Sequence, residues 1–179
     1  NPAPGRAPAQ AVELASASSA PLSDIVERVL EVSDNEAAEV LGHHVGLATG
    51  QEGSFAAGAA GVKQTLAQWG IDVSRLRLYD GSGLSRANRI STTSILAVLR
   101  RIASPQGTEL RSVASGVPVS GFTGSLALRF ENAPPGAMGT VRAKTGTLTG
   151  VHALAARTAG RDGVVNGCVI AADRVPSPA

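Results

Sequence analysis

The sequence predicts an α+β fold in which a helical region packs on an antiparallel sheet. Apolar residues recur at helical spacing through residues 21–135, and three strand-length apolar runs separated by Gly-containing turns follow within residues 139–173. Of the 179 residues, 43% are hydrophobic and only 17% are charged, a composition typical of folded chains. Helices followed by strands indicate two stacked layers.

The first 20 residues differ from the rest. They are mostly Pro, Ala and Ser, which bury too little apolar area to offset backbone ordering, so residues 1–20 are predicted to be a linker. Residues 21–179 form the predicted domain. Its first amphipathic helix ends near Val32, with Ser23 or Asp24 as the N-cap, and a second helix follows a turn at residues 33–35.

Further helices are predicted from the small-residue run at 54–69 and from the apolar periodicity that follows Ser91. Gly58 and Gly61 disfavour the first of these helices by about 1 kcal/mol each unless close packing uses them. Weaker helical segments are expected around Glu109 and over residues 126–130. Strands are predicted at 140–145, 151–158 and 164–172, and Cys168 in the last is predicted to be a buried core residue.

The sequence lacks the residues that several functional classes require. A formal charge of +2 and five aromatic side chains argue against nucleic-acid binding. One cysteine cannot form an internal disulfide, and His43 and His44 are adjacent and cannot share a metal from one helix face, so no metal or other cofactor is predicted. No apolar stretch reaches the roughly 18 residues of a membrane span.

The Lys-Thr-Gly-Thr run at residues 144–147 is the most specific motif. With two Lys, 11 Thr and 21 Gly in the chain, Lys-Thr-Gly is expected about 0.014 times by chance. A lysine and two threonine hydroxyls on a strand edge, with Gly146 leaving the backbone accessible, can dock an extended ligand that ends in a carboxylate. The alternative is an exposed lysine before a turn.

Ser33-Asp34-Asn35 is weak alone, because Ser-x-Asn is expected about 0.5 times by chance. Together with residues 144–147 it supplies two of the three motifs of penicillin-binding proteins and serine β-lactamases, which are Ser-x-x-Lys, Ser-Asp-Asn and Lys-Thr-Gly. The run Asp-Gly-Ser-Gly-Leu-Ser-Arg at 80–86 and the run Lys-Thr-Gly-Thr-Leu-Thr-Gly-Val at 144–151 resemble the class C low-molecular-mass penicillin-binding proteins, which are D-alanyl-D-alanine carboxypeptidases and endopeptidases.

The third motif is absent. Ala60 and Val141 stand three residues before the two lysines, so the chain contains no Ser-x-x-Lys. In the family that this chain resembles, the nucleophilic Ser and its Lys lie N-terminal to an inserted domain. The resemblance therefore implies that this chain is an incomplete, C-terminal part of a β-lactamase/transpeptidase-like domain, with residues 1–20 returning from the insertion and a complementary N-terminal chain supplying Ser-x-x-Lys.

The resemblance also implies roles for named residues. Ser33 would relay a proton to the leaving D-Ala amine and Asn35 would hold the penultimate amide, while Lys144, as the third catalytic residue, would supply positive potential. Thr145 and Thr147, with Gly146 between them, would bind the substrate carboxylate, and the Thr147 N–H would complete an oxyanion hole. The reaction would be serine-type carboxypeptidase, or endopeptidase, cleavage of a peptidoglycan stem peptide through an acyl-enzyme, with β-lactams as inhibitors.

Two other functions stay open at the level of sequence. A chain without the nucleophile could be a non-catalytic peptidoglycan-binding or β-lactam-binding fragment, or the relative could be a β-lactamase. The substrate class implies an exported, extracytoplasmic protein that acts in the periplasmic space or cell wall.

Overall fold

The computed structural model describes residues 8, 10–134, 136–160 and 162–176. Five α-helices are followed by three strands: α1 Leu22–Val32, α2 Asn35–Ala48, α3 Phe55–Gln68, α4 Thr92–Ala103, α5 Arg111–Gly116, β1 Val141–Leu148, β2 Val151–Ala159 and β3 Val165–Asp173. Two 3-10 turns cover Pro105–Leu110 and Gly124–Leu126. Part of the predicted linker lies outside the described residues, and residues 10–20 are exposed and form no helix or strand.

Side-chain caps define the starts of three helices. Asp34, Ser54 and Ser91 accept hydrogen bonds from the third residue beyond them, at the starts of α2, α3 and α4. The predicted cap of α1 was wrong, because Ser23 and Asp24 lie inside its first turn. The helix starts directly after Pro21, whose extended backbone places its carbonyl to accept from the amides of Asp24 and Ile25.

The α2–α3 pair is held by glycines, as the small-residue pattern requires. A Cβ on Gly58 would lie 2.4 Å from the Gly42 carbonyl oxygen of α2, so only glycine permits this approach. Ala57 and Ala59 are buried on either side of it. The cost of glycine in α3 is offset by the close contact between the helix backbones.

The sheet is an antiparallel meander in the order β1-β2-β3. β1 ends three residues later than predicted, because its pairing with β2 continues to Leu148 opposite Val151. The whole Lys-Thr-Gly-Thr motif therefore lies within the strand. The predicted helical segment at 126–130 was also wrong, since only the 3-10 turn Gly124–Leu126 forms there.

The two faces of the sheet have different neighbours. One face meets α4, where Leu96 contacts Gly167, and the other packs on Leu126, which is fully buried together with Ala143. Cys168 is exposed, contrary to the prediction of a core residue, because nothing in the described part of the chain covers that end of the second face. Ile170 on the same face is 61% exposed.

None of the helices in the described ranges is long and apolar enough to cross a bilayer. The observed architecture confirms the predicted order of helices followed by strands, with the helical layer packed on an antiparallel sheet.

Candidate active site

Ser33 sits in a sharp turn between α1 and α2. Its backbone is left-handed, with φ 59° and ψ 50°, a conformation that costs a non-glycine residue roughly 1 kcal/mol. Asp34, not Ser33, caps α2, since its carboxylate accepts from the Ala37 amide at 3.0 Å. The Ser33 hydroxyl is therefore available for another contact.

That contact is Lys144, from the middle of β1. Its Nζ donates to Ser33 Oγ at 2.7 Å and to the Thr145 carbonyl at 3.0 Å. The lysine is half-buried, and burial lowers its pKa below the ordinary value of 10.5. Within the described residues the only ion pair joins Arg101 to Glu109, so no carboxylate neutralises Lys144 there. The site combines a hydroxyl with a cation that has no anionic partner among those residues.

A small cavity of about 120 Å³ lies beside the lysine, between the helices and the sheet. Leu30, Leu99 and Ala155 line it with the Lys144 stem, so it is mostly apolar. The apolar wall explains the burial that lowers the pKa of Lys144.

β1 forms one edge of the sheet, and the described residues cover its outer side only at the start. There the Ala143 N–H donates to the Pro118 carbonyl and the Val141 carbonyl accepts from the Ser120 N–H, both at 2.9 Å. Backbone groups of an antiparallel strand alternate in direction, so every second residue after Ala143 also points outward. The amides of Thr145 and Thr147 therefore face away from β2, along an edge that no described strand pairs with.

The side chains of the same two threonines lie on the opposite face of β1 from Lys144, by the alternation of the strand. Thr145 Oγ1 is 2.9 Å from Ser125 Oγ, and Thr147 is exposed. Gly146 between them is also exposed, and a Cβ there would make only an ordinary contact with Ala153, so no clash requires a glycine at this position.

Asn35 is the first residue of α2, two positions after Ser33, and is exposed. The structure thus brings Ser33, Lys144 and Thr145 together by direct contacts, and holds Asn35 beside them through the α1–α2 turn. The side-chain amide of Asn35 forms no hydrogen bond with the described residues, so it is free to bind a ligand.

Residues 3–173 match the D-Ala-D-Ala carboxypeptidase 3 (S13) family. The chain belongs to this family. The resemblance drawn from the Ser-Asp-Asn and Lys-Thr-Gly motifs is confirmed, since the S13 match spans almost the whole sequence.

Individual relatives support the same family assignment. The chain is 35% identical over 161 residues to a carboxypeptidase of Mycobacterium tuberculosis, a match that covers 89% of this chain and 35% of the relative. It is 36% identical over 155 residues to the D-alanyl-D-alanine carboxypeptidase of Actinomadura sp., covering 84% of this chain and 28% of that protein.

The fold also agrees with a solved structure. Penicillin binding protein 4 from Haemophilus influenzae, crystallised with a β-lactam, superposes with a TM-score of 0.80 and 30% sequence identity over 89% of this chain and 36% of its own. The chain therefore spans about a third of the length of the relatives it matches. The predicted β-lactamase/transpeptidase-like fold, present here as a partial domain, is confirmed.

One loop next to the candidate site was not assigned from the sequence, although its Asp-Gly-Ser-Gly-Leu-Ser-Arg run was noted. Asp80 accepts from the Ser85 amide and from the Asn88 side chain, which folds residues 80–88 into a compact loop. Glu39 of α2 accepts from two amides of this loop, and Arg86 donates to the Thr149 carbonyl at 3.1 Å. The loop thus connects the helix of Asn35 with the turn after β1. Glu39 belongs to no sequence motif, so the sequence did not single it out.

Proposed function

We propose that this chain is the carboxylate-binding and proton-relay part of a serine-type D-Ala-D-Ala carboxypeptidase. The observation that carries the proposal is the 2.7 Å contact between Lys144 Nζ and Ser33 Oγ, made beside a sheet edge that no described strand pairs with. The two residues come from separate sequence motifs, 111 residues apart. Membership of the S13 family supports the same activity.

Lys144 supplies the positive potential that attracts the C-terminal carboxylate of the substrate. The cation is half-buried and has no carboxylate partner among the described residues, so a substrate anion meets no competing anion there. Thr145 and Thr147 lie at successive positions on one face of β1, where their hydroxyls donate to that carboxylate. Gly146 keeps the strand between them free of side chain.

Ser33 and Asn35 act on the scissile bond and its neighbour. A serine hydroxyl on the complementary segment attacks the carbonyl carbon of the D-Ala-D-Ala peptide bond and forms an ester. Ser33 accepts the proton that the attacking hydroxyl gives up and donates its own hydroxyl proton to the leaving D-Ala nitrogen as the C–N bond breaks. Water then hydrolyses the ester, which releases the shortened peptide acid and restores the serine hydroxyl. Asn35 holds the penultimate amide of the bound peptide, which fixes the carbonyl for attack.

The outward amide of Thr147 is one donor of the oxyanion hole. It lies on the edge of β1 where an extended peptide can add as a further strand, so the same edge positions the substrate and stabilises the charge on its carbonyl oxygen. The chemistry derived for these residues uses hydroxyl, amide and ammonium groups, and no cofactor enters it.

We propose that a complementary N-terminal segment carrying Ser-x-x-Lys completes the domain. Leu126 is the only large apolar residue among the fully buried side chains that are described, whereas Val165 and Ile170 of β3 are half-exposed or more. The relatives are about three times longer than the match, so they contain chain that can cover such a surface. The proposed substrate is a peptidoglycan stem peptide, which places the protein outside the cytoplasmic membrane.

The decisive experiment labels the native protein preparation with a fluorescent penicillin. After separation under denaturing conditions, mass spectrometry identifies the labelled peptide. We expect label on a serine of a Ser-x-x-Lys segment, because a β-lactam acylates the same nucleophile as the peptide. A Lys144→Ala variant should acylate at least tenfold more slowly. If neither a second chain nor a longer form takes label, the chain is a non-catalytic binding fragment.

Two further measurements separate the remaining alternatives. Rapid turnover of benzylpenicillin by the complete protein would favour a β-lactamase over a carboxypeptidase. Cys168 reports on the completing segment, since mass spectrometry after thiol labelling should find it protected in the native complete protein and reactive after denaturation. Rapid native labelling of Cys168 would contradict the proposed coverage of β3.

A further inference from the structure

The Gly-Ser-Leu sequence at residues 124–126 forms a tight turn between α1 and β1. Gly124 has φ 52°, and a Cβ there would lie 2.2 Å from the carbonyl oxygen of Glu31, two residues before Ser33. Leu126 is fully buried against Ala143 of β1. The backbone on both sides of Ser125 is therefore fixed, at Gly124 by its contact with α1 and at Leu126 by its burial in the core.

Ser125 uses this fixed position for one contact, the 2.9 Å hydrogen bond between its Oγ and Thr145 Oγ1. Either hydroxyl can donate when no ligand is bound. A carboxylate only accepts hydrogen bonds, so once Thr145 donates to a substrate carboxylate its oxygen must accept from Ser125. The bound anion thus sets the direction of both hydrogen bonds, and a donor behind Thr145 strengthens the bond it makes.

We propose that Ser125 is a positioning residue that orients the Thr145 hydroxyl toward the substrate carboxylate and so contributes to selection of peptides with a free C-terminus. This inference rests on the proposed role of Thr145 in carboxylate binding. Ser125 itself touches neither the carboxylate nor the scissile bond in this assignment. Its effect is therefore confined to substrates that carry the anion.

The test compares two substrates in the complete enzyme, an acyl-D-Ala-D-Ala peptide and the same peptide with a C-terminal amide. The quantity measured is kcat/KM, or the inhibition constant where the amide reacts too slowly. The variants are Ser125→Thr and Ser125→Val, which have nearly the same shape and differ by one hydroxyl. Ser104→Ala, which removes a serine hydrogen bond of equal length after α4, is the control for a general effect.

We expect Ser125→Val to lower the preference for the free carboxylate between about three- and tenfold, the range of one hydrogen bond, and Ser125→Thr to retain it. Ser104→Ala should leave the preference unchanged. Equal losses on both peptides in Ser125→Val would overturn the proposal, because they would show a purely structural role.

A Thr145→Val variant separates this inference from the function on which it rests. If Thr145→Val does not reduce the carboxylate preference, the assignment of Thr145 fails, and the role of Ser125 fails with it. If Thr145→Val reduces the preference and Ser125→Val does not, only the positioning role of Ser125 is wrong.

Discussion

Lys144 and Ser33 are 111 residues apart in the sequence, and their side chains meet at 2.7 Å. The contact joins the middle of β1 to the left-handed turn between α1 and α2. It brings a cation and a hydroxyl to one end of the helical layer, next to the strand edge that the substrate is proposed to occupy.

Ser33→Gly should separate activity from stability. Loss of the hydroxyl removes the proposed proton relay, so penicillin acylation of the complete enzyme should fall about 100-fold or more. Glycine adopts φ 59° without strain, so this variant should be about 1 kcal/mol more stable than Ser33→Ala, which loses the same hydroxyl. Acylation rates and thermal unfolding measure the two effects. Retention of more than a tenth of the acylation rate in Ser33→Gly would contradict the relay.

The charge of Lys144 should limit substrate binding at alkaline pH. Burial lowers the pKa of Lys144 below 10.5, so the ammonium loses its proton at a lower pH than an exposed lysine does. KM for a carboxylate peptide should rise as pH passes upward through that pKa. A Lys144→Arg variant stays charged over this range, so its KM should not rise there. An identical alkaline rise in KM for both proteins would exclude Lys144 as its source.

The lowered pKa of Lys144 should also make the stability of the protein depend on pH. Between the lowered pKa and 10.5 the folded protein holds fewer protons than the unfolded chain, so this group makes the free energy of unfolding increase with pH in that window. Denaturant unfolding at several pH values, compared with Lys144→Met, measures the contribution. A decrease with pH that is present only when Lys144 is present would contradict the assignment.

Glu39→Gln should loosen the loop at residues 80–88. Burial raises the pKa of the Glu39 carboxyl, but hydrogen bonds from Ser82 and Gly81 outweigh it and hold the pKa below 4.5. Glutamine retains one acceptor oxygen, so we expect a loss of about 1 kcal/mol and faster amide exchange in the loop. Glu36→Gln on the same helix is the control.

The effect of Glu39→Gln should depend on pH. A carboxyl with a lowered folded pKa stabilises the protein above the unfolded value of 4.5, and that contribution is lost as pH falls through the folded pKa. The stability difference between wild type and Glu39→Gln should therefore shrink below pH 4.5. A difference that stays constant into strong acid would show that the ionised carboxylate is not responsible.

Gly58→Ala should destabilise the α2–α3 pair although alanine favours helix by about 1 kcal/mol. The new Cβ would lie 2.4 Å from the Gly42 carbonyl oxygen, so the two helix backbones must separate. We expect a net loss of about 1–3 kcal/mol in thermal unfolding. Ala60→Gly, at an exposed position of α3, measures the helix-propensity effect alone. Equal or higher stability of Gly58→Ala would show that the contact is not close.

Local sequence determined much of this architecture. The polar cap at Ser91, and apolar or small residues at helical spacing, predicted the helices, because each signal depends on neighbours within one or two turns. The Lys-Thr-Gly and Ser-Asp-Asn motifs predicted the family, which the S13 match confirms. The roles of Ser33, Asn35, Lys144, Thr145, Gly146 and Thr147 remain predictions.

Tertiary structure decided what depends on distant neighbours. β1 reaches Leu148 because β2 pairs with it. Cys168 is exposed because nothing in the described chain packs on its end of the sheet. The local apolar pattern predicts neither of these features. The contacts of Lys144 with Ser33 and of Thr145 with Ser125 likewise join separate segments. The sequence by itself determined which chemical groups are present and where helices form. Only the packing of the helical layer against β1 decided which groups meet, because that requires long-range contacts that no local preference encodes.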